Sequence, residues 1–229
     1  SDIWTGIGVV STGSFIPTSP AADPAAKAWP FDLKKAKELL KEAGWEDRDR
    51  NGILEDKDGR EFIFEFTYST AGEISQKIAL FVQDACRNAG IRCELRGVDW
   101  SVSDPIRKQR DFDAITLGWG ANAPESDPKQ IYHSNSIKDQ GDNFAQWRND
   151  DADRLIDEGR RTIAFEDRVK IWHQFGRVMH EDQPYTWIRV QPFVRFVKPY
   201  IGNVHSYPKG LEPWEYYHTG GPSVMDAVN

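Results

Sequence analysis

Between Asp47 and Asp58 the chain reads Asp47, Arg48, Asp49, Arg50, Asn51, Gly52, Ile53, Leu54, Glu55, Asp56, Lys57, Asp58. Side-chain oxygens stand at the first, third and fifth positions, a glycine at the sixth and an acid at the twelfth. A hard cation such as Ca²⁺ is held at this spacing. Asp47, Asp49 and Asn51 would offer side-chain oxygens, Ile53 its backbone carbonyl, and Asp58 the closing carboxylate. Asp58 is one methylene shorter than the glutamate usual at the last position, which weakens the site. A strand pattern also follows, where a helix–loop–helix site needs a helix. Without a cation the same residues make an Asx-rich turn. A structural Ca²⁺ is the one cofactor suggested, and none is required.

A second constellation runs from Phe112 to Asp127. Ala114 to Leu117 is apolar or β-branched, as a strand buried inside an α/β sheet is. Gly118 and Gly120 remove side chains on both sides of Trp119, so another molecule can approach the backbone. Ligands of open α/β sheets bind just past the carboxyl ends of strands. Trp119, followed by Asn122, Glu125, Ser126 and Asp127, reads as a ligand platform, with a core tryptophan at a strand end as the alternative.

Other reactive residues form no recognisable centre. No Ser/His/Asp or Cys/His signature appears, and the five histidines give no metal cluster. His173 and His180 are two helical turns apart. Residues 6–13 carry scattered glycines but lack the preceding strand and following Lys-Ser/Thr of a phosphate loop. Glu125 and Asp127 could serve a hydrolase as paired acids, but a general acid needs an apolar pocket to raise its pKa, and this loop is polar. Cys86 and Cys93 are either a disulfide or two free buried thiols.

The elements that must position these groups follow from composition and period. The chain has 229 residues, 39% hydrophobic and 28% charged, enough for one large core or two small ones. A net charge of −7 argues against nucleic acid as a partner. No apolar run approaches the roughly 18 residues a membrane span needs. Nine tryptophans slightly favour ligand or carbohydrate contact. The chain begins without Met or a signal region, and residues 1–30 read as an extended lead-in, so a fragment of a longer protein is expected. Asp32 caps a helix from Leu33 to about Ala43, stopped by Gly44. Phe62, Phe64 and Phe66 alternate in a strand. Glu73 to Ala89 is a helix ended by Gly90, Arg92 to Val98 a strand, and Ser103 to Arg110 a short helix before the Ala114 strand. This order implies crossovers and a mostly parallel sheet. Helices follow near Asp150–Arg161 and Glu166–Glu181. Strand-like runs follow at Tyr185–Val190 and Phe193–Val197, then a Pro- and Gly-rich tail from Gly202.

Several segments, in order, carry a family resemblance: FDLKKAKELLKEAGW, NAGIRCELRGVDW, RDFDAITLGWGANAPESDP and the long run from Asn149 to Ile188. From about Phe31 to Trp214 the chain resembles the C-terminal half of a bacterial extracellular solute-binding protein of family 5, the peptide- and nickel-binding type. The resemblance implies an α/β lobe like those of type II periplasmic binding proteins, with a mixed, mostly parallel sheet flanked by helices. Residues 31–200 would be the second of two lobes, and residues 201–229 would return towards the first. The implied function is the substrate-binding component of an ABC-type uptake transporter, without catalysis, handing oligopeptides or a related small polar solute to a membrane permease. A sensor or interaction domain on the same fold is the alternative. The implied location is periplasmic or extracellular, with or without a lipid anchor. Gly118, Trp119, Gly120, Asn122 and Asp127 fall on the family's ligand segment, and Arg107 falls where some peptide binders place a basic residue. Peptide-binding relatives carry an aspartate, which pairs with the peptide amino terminus, where this chain has Asn122. Either the ligand is not an ordinary free peptide, or Glu125 or Asp127 supplies the charge. Tyr132, His133, Ser134, Asn143 and Trp147 could line the rim.

Overall fold

The computed structural model describes residues 8–120, 125–191, 196–207 and 210–220. Helix α1 (Leu33–Glu42) begins where the Asp32 carboxylate accepts the Lys35 amide at 2.9 Å, and the chain turns away at Gly44 with φ +93°. Strand β2 (Ile63–Ser69), helix α2 (Glu73–Ala89) and strand β3 (Arg92–Val98) form a crossover unit. Gly90, at φ +90°, closes α2 in the left-handed region. A Cβ there would lie 2.9 Å from Cγ of Leu54, so glycine also lets the acidic loop approach closely.

Helix α3 (Trp100–Gln109) starts three residues earlier than expected, because Asp99 accepts the Ser101 amide at 2.9 Å and caps it there. Strand β4 (Ala114–Ile115) then pairs in parallel with β2, giving the order β3-β2-β4. This corrects the expected place of the Ala114 run. It forms an edge of the three-stranded sheet, half-buried, and the central strand is β2. The pairing is brief: Phe66 faces Ala114, Thr67 faces Ile115, and Thr116 donates to the Thr67 carbonyl at 3.0 Å before the chain leaves the sheet. The local run is apolar enough for a buried strand, but strand order is set by where the crossovers land.

Two hydrophobic cores result. One lies beneath the sheet, with Phe66, Ala79 and Cys93 at its centre and Cys86 packed against it. Both cysteines are free, and burial pushes the Cys93 thiol up to about 11. The other is helical. It is built from α4 (Lys129–Tyr132), α5 (Asp150–Arg161) and α6 (Phe165–Asp182), with Ile156, Trp172, Phe175 and Met179 fully buried. Each of these large side chains contributes about 1.5–3 kcal/mol of burial. Gly159 on α5 makes room for α6, since a Cβ there would meet the Trp172 ring at 2.4 Å.

The lead-in segment packs on this helical core. Phe15 and Ala21 insert into it, Arg177 donates to Asp23 at 2.8 Å, and β1 (Val9–Val10) pairs antiparallel with β5 (Arg189–Val190). Of the run expected as a strand over Tyr185–Val190, only the last two residues form one. Tyr185 and Trp187 instead pack against the core. Of the run Phe193–Val197, the first three residues lie outside the described ones, and Phe196 and Val197 are irregular. The tail carries two small antiparallel pairs, β6 (Ile201–Gly202) with β9 (Tyr217–His218) and β7 (Ser206–Tyr207) with β8 (Gly210–Leu211). Among the described residues, no helix is long and apolar enough to cross a membrane.

Candidate functional site

Strand β4 delivers the chain to Gly118, Trp119 and Gly120, all exposed. A Cβ built on Gly118 would meet no atom within 4 Å among the described residues. Trp119 remains 37% exposed. It stacks on Phe144, with ring centroids 5.7 Å apart and planes 10° from parallel. Phe144 is itself buried, at 6% exposure. Helix α3 brings Arg107 to the same ring. Its guanidinium lies 5.7 Å from the Phe144 centroid and 5.4 Å from that of the exposed Trp100. Arg107 pairs with Asp104 at 3.1 Å, and its buried Nε has no hydrogen-bond partner among the described residues. Arg110 sits 5.0 Å over Phe144 and donates to the carbonyls of Arg107 and Gly141 at 2.7 and 2.6 Å. The group therefore offers a flat indole beside two positive charges. It can stack on an apolar or peptide group and donate to an acceptor. Asn122, expected to complete this group, lies outside the described residues.

Asp127 belongs to a different group. One oxygen accepts the Lys129 amide at 2.9 Å, at the start of α4, and the other receives Arg160 of α5 at 2.8 Å. Glu125 is held more firmly. Arg168 donates to it with two nitrogens, and the Trp172 indole donates at 2.6 Å. The Arg168 hydrogen bond holds the Glu125 carboxyl below the usual carboxylate range. These acids border an open cleft of about 620 Å³ whose other walls include Lys129, Asp157 and Arg160. The polar contacts of Asp127 are made here, whereas Trp119 and Arg107 meet around Phe144.

The expected rim residues turn inward. Tyr132, His133 and Asn143 are buried. The Asn143 amide bonds to Trp147 through both N–H and carbonyl, and to the carbonyls of Tyr132 and His133. Ser134 donates its backbone N–H to Asp153 at 2.9 Å. Trp147 donates its indole to Asp182 at 3.0 Å. Phe144 was not singled out from the sequence, and no local spacing links it to Trp119. Tyr185 is a further unforeseen neighbour. Burial pushes its phenol to about 12, and the Trp119 indole lies beside its hydroxyl.

In the acidic loop, carboxylate oxygens of Asp47, Asp49 and Glu55 lie within 4.8 Å of one another. Gly52 takes φ +89° and donates its amide to Asp47 at 3.1 Å. Glu55 is buried and accepts the Arg48 amide at 2.7 Å. The Asn51 amide is turned to other work: its oxygen accepts the Ile53 amide at 2.7 Å and its nitrogen donates to Asp49 and Glu61. Asp58 lies against Arg60 at 3.3 Å, outside the cluster. The residues that could hold a cation are thus Asp47, Asp49 and Glu55, with the ninth position of the loop in the place expected of the twelfth.

Comparison with known proteins places these features. The oligopeptide-binding protein AppA of Bacillus subtilis is 31% identical over 224 residues, which cover 95% of this chain and 38% of that protein. Its structure in complex with a nonapeptide superposes with a TM-score of 0.81 at 26% identity, over 95% of this chain and 44% of that one. For the fold alone, NikZ from Campylobacter jejuni, solved with Ni(L-His), gives a TM-score of 0.74 at 22% identity over 83% of this chain and 38% of that one. The chain therefore spans well under half the length of these relatives. Residues 1–141 match the family described as "Bacterial extracellular solute-binding proteins, family 5 Middle". With its type II periplasmic-binding-protein fold, this chain belongs to the bacterial extracellular solute-binding proteins of family 5.

Proposed function

We propose that the chain is the second lobe of the substrate-binding component of an ABC-type uptake transporter. Residues 31–200 form the lobe, residues 1–30 lead into it, and residues 201–229 return towards the first lobe. The whole protein takes an oligopeptide or a related small polar solute between the lobes and delivers it to a membrane permease. It works in the periplasm or outside the cell, with or without a lipid anchor. The observation that carries the reading is the half-exposed Trp119 ring, stacked on buried Phe144 beside Arg107, at the end of a sheet strand. Likeness to an oligopeptide-binding protein over 95% of the chain supports the ligand class.

The charge pattern narrows that class. Asn122 stands where peptide-binding relatives have an acid, and a neutral amide forgoes the stronger, charge-assisted hydrogen bond. Glu125 and Asp127 are engaged by Arg168 and Arg160, so neither is free to replace it. The ligand group at this position is therefore uncharged or anionic, and Asn122→Asp favours ligands with a free amine. The same ionised Glu125 argues against a hydrolase, because a carboxyl lowered by Arg168 holds no proton to donate near neutral pH. The acidic loop adds a structural Ca²⁺, held by Asp47, Asp49 and Glu55.

The test is to purify the full-length protein without refolding and identify by mass spectrometry what it releases on denaturation. Calorimetry with a synthetic nonapeptide follows. Release of peptides or of one polar solute supports the reading. No released solute and no binding heat overturns it.

A further inference from the structure

Two unlike groups from different parts of the chain meet on Phe144. One is the Trp119 indole, arriving from β4 and lying nearly parallel to the Phe144 ring. The other is the pair of guanidinium groups of Arg107 and Arg110, 5.7 and 5.0 Å from its centroid. Phe144 is buried, while Trp119 keeps more than a third of its surface open. A flat ring free on one face holds its plane only if the other face is supported. Gly118 and Gly120 give it no lateral side chains, and a Cβ on Gly118 would meet nothing within 4 Å among the described residues. Arg107 needs support of the same kind. It lies between the rings of Trp100 and Phe144, with one carboxylate partner among the described residues, the half-exposed Asp104. Arg110 reaches Phe144 from the left-handed cap of α3, at φ 60°, tied to the carbonyls of Arg107 and Gly141.

We propose that Phe144 is a positioning residue for the ligand site: its ring fixes the plane of Trp119 and the direction of Arg107 together, without touching ligand. The inference rests on the functional reading above. Phe144 couples the two so that the stacking face and the positive charge are presented at a fixed offset. A ligand that stacks on Trp119 and carries an acceptor for Arg107 gains from that offset, and one that only stacks gains less. The aliphatic branches of leucine would fill much of the volume, but give no flat face for an indole and no π-face for a cation. Tyrosine keeps both.

The test uses the full-length protein and variants Phe144→Leu, Phe144→Met and Phe144→Tyr. Phe175→Leu serves as a core control, since Phe175 is buried in the helical core and, among the described residues, makes no ring contact with Trp119, Phe144 or Arg107. The probes are an N-acetylated synthetic nonapeptide with a free terminal carboxylate and its C-terminally amidated form. Readouts are the dissociation constant and the Trp119 emission, taken as the difference from a Trp119→Phe background. We expect Phe144→Leu and Phe144→Met to weaken binding about tenfold and to make Trp119 emission redder and more readily quenched by acrylamide. Phe144→Tyr should restore both, and the weakening should be larger for the peptide with the free carboxylate, the stronger acceptor for Arg107, than for its amide. Phe175→Leu should lower the melting temperature and leave affinity and Trp119 emission unchanged. If Phe144→Leu and Phe175→Leu weaken binding alike, or if Phe144→Leu binds as wild type while Trp119→Ala does not, the inference fails and the functional reading stands. If neither Trp119→Ala nor Phe144→Leu alters binding, both fail.

Discussion

Trp119 and Trp172 are each packed against a buried phenylalanine, yet they do opposite things. Trp172 is 2% exposed, wedged by Phe15 and Phe175, and its indole N–H is spent on Glu125. Gly159 on the facing helix lets that helix's backbone close against the ring. Trp119 has one phenylalanine beneath it, small residues on both sides and an open face. The first belongs to a closed core, with its indole N–H satisfied by a carboxylate. The second belongs to a surface in which an aromatic face and a buried Arg107 Nε are left over. The difference separates aromatic surface enclosed in a core from aromatic surface left exposed. The charges divide in the same way, since Glu125 and Asp127, in the loop before α4, are consumed by arginines of α6 and α5, while Arg110 has no carboxylate partner among the described residues.

Truncation should therefore split the two sites. Trp172→Ala should cost about 3–5 kcal/mol of stability, read as a fall in the denaturation midpoint of the lobe, whereas Trp119→Ala should cost under about 1 kcal/mol, as a half-exposed side chain does. Equal losses would erase the distinction. Gly159→Ala probes the tightness of the closed side. A methyl group 2.4 Å from the Trp172 ring forces α5 and α6 apart, at about 1–3 kcal/mol, and the melting temperature reads it. No comparable penalty is expected at Gly118, where a Cβ would meet no described atom within 4 Å.

Glu125 sharpens the electrostatic half of the contrast. Its folded pKa lies below its ordinary value of 4.5. It therefore contributes stability above that value, lost as the pH falls through the lowered folded one. Glu125→Gln should cost about 1–3 kcal/mol near neutral pH, and the gap from wild type should close in acid, below 4.5. Denaturation midpoints across that range measure it. A gap that stays constant with pH would mean the carboxylate charge is not what Arg168 holds.

The smallest effect belongs to the acidic loop. A site of three carboxylates should bind Ca²⁺ with a dissociation constant of roughly 10⁻⁴–10⁻³ M, raising stability by about 1 kcal/mol at a few times that concentration. Glu55→Gln should abolish the heat of binding and Asp58→Asn should not, because only Glu55 shares the cluster with Asp47 and Asp49. The reverse result would restore the order expected from the sequence motif.

What the sequence discloses and what it hides follow one physical line. Helix α2 was legible end to end because Gly90 stops it by local conformational freedom. Trp119 stood out because its glycines are its neighbours in the chain. The edge position of β4 was not legible, since β2 becomes central only once two crossovers have landed on either side of it. Glu55 enters the acidic cluster through bridges with Glu46 and Glu61, which no spacing rule contains. Phe144 is met by Trp119 and two arginines from separate elements, so its role exists only in three dimensions.

The claim that Trp119 is ligand surface is tested most directly by titrating the full-length wild type and Trp119→Ala with the solute the native protein releases. An affinity loss of about 1–3 kcal/mol, with the two proteins melting within a degree or two of each other, is the expected result. Unchanged affinity, or a loss that merely follows a large fall in stability, would contradict it.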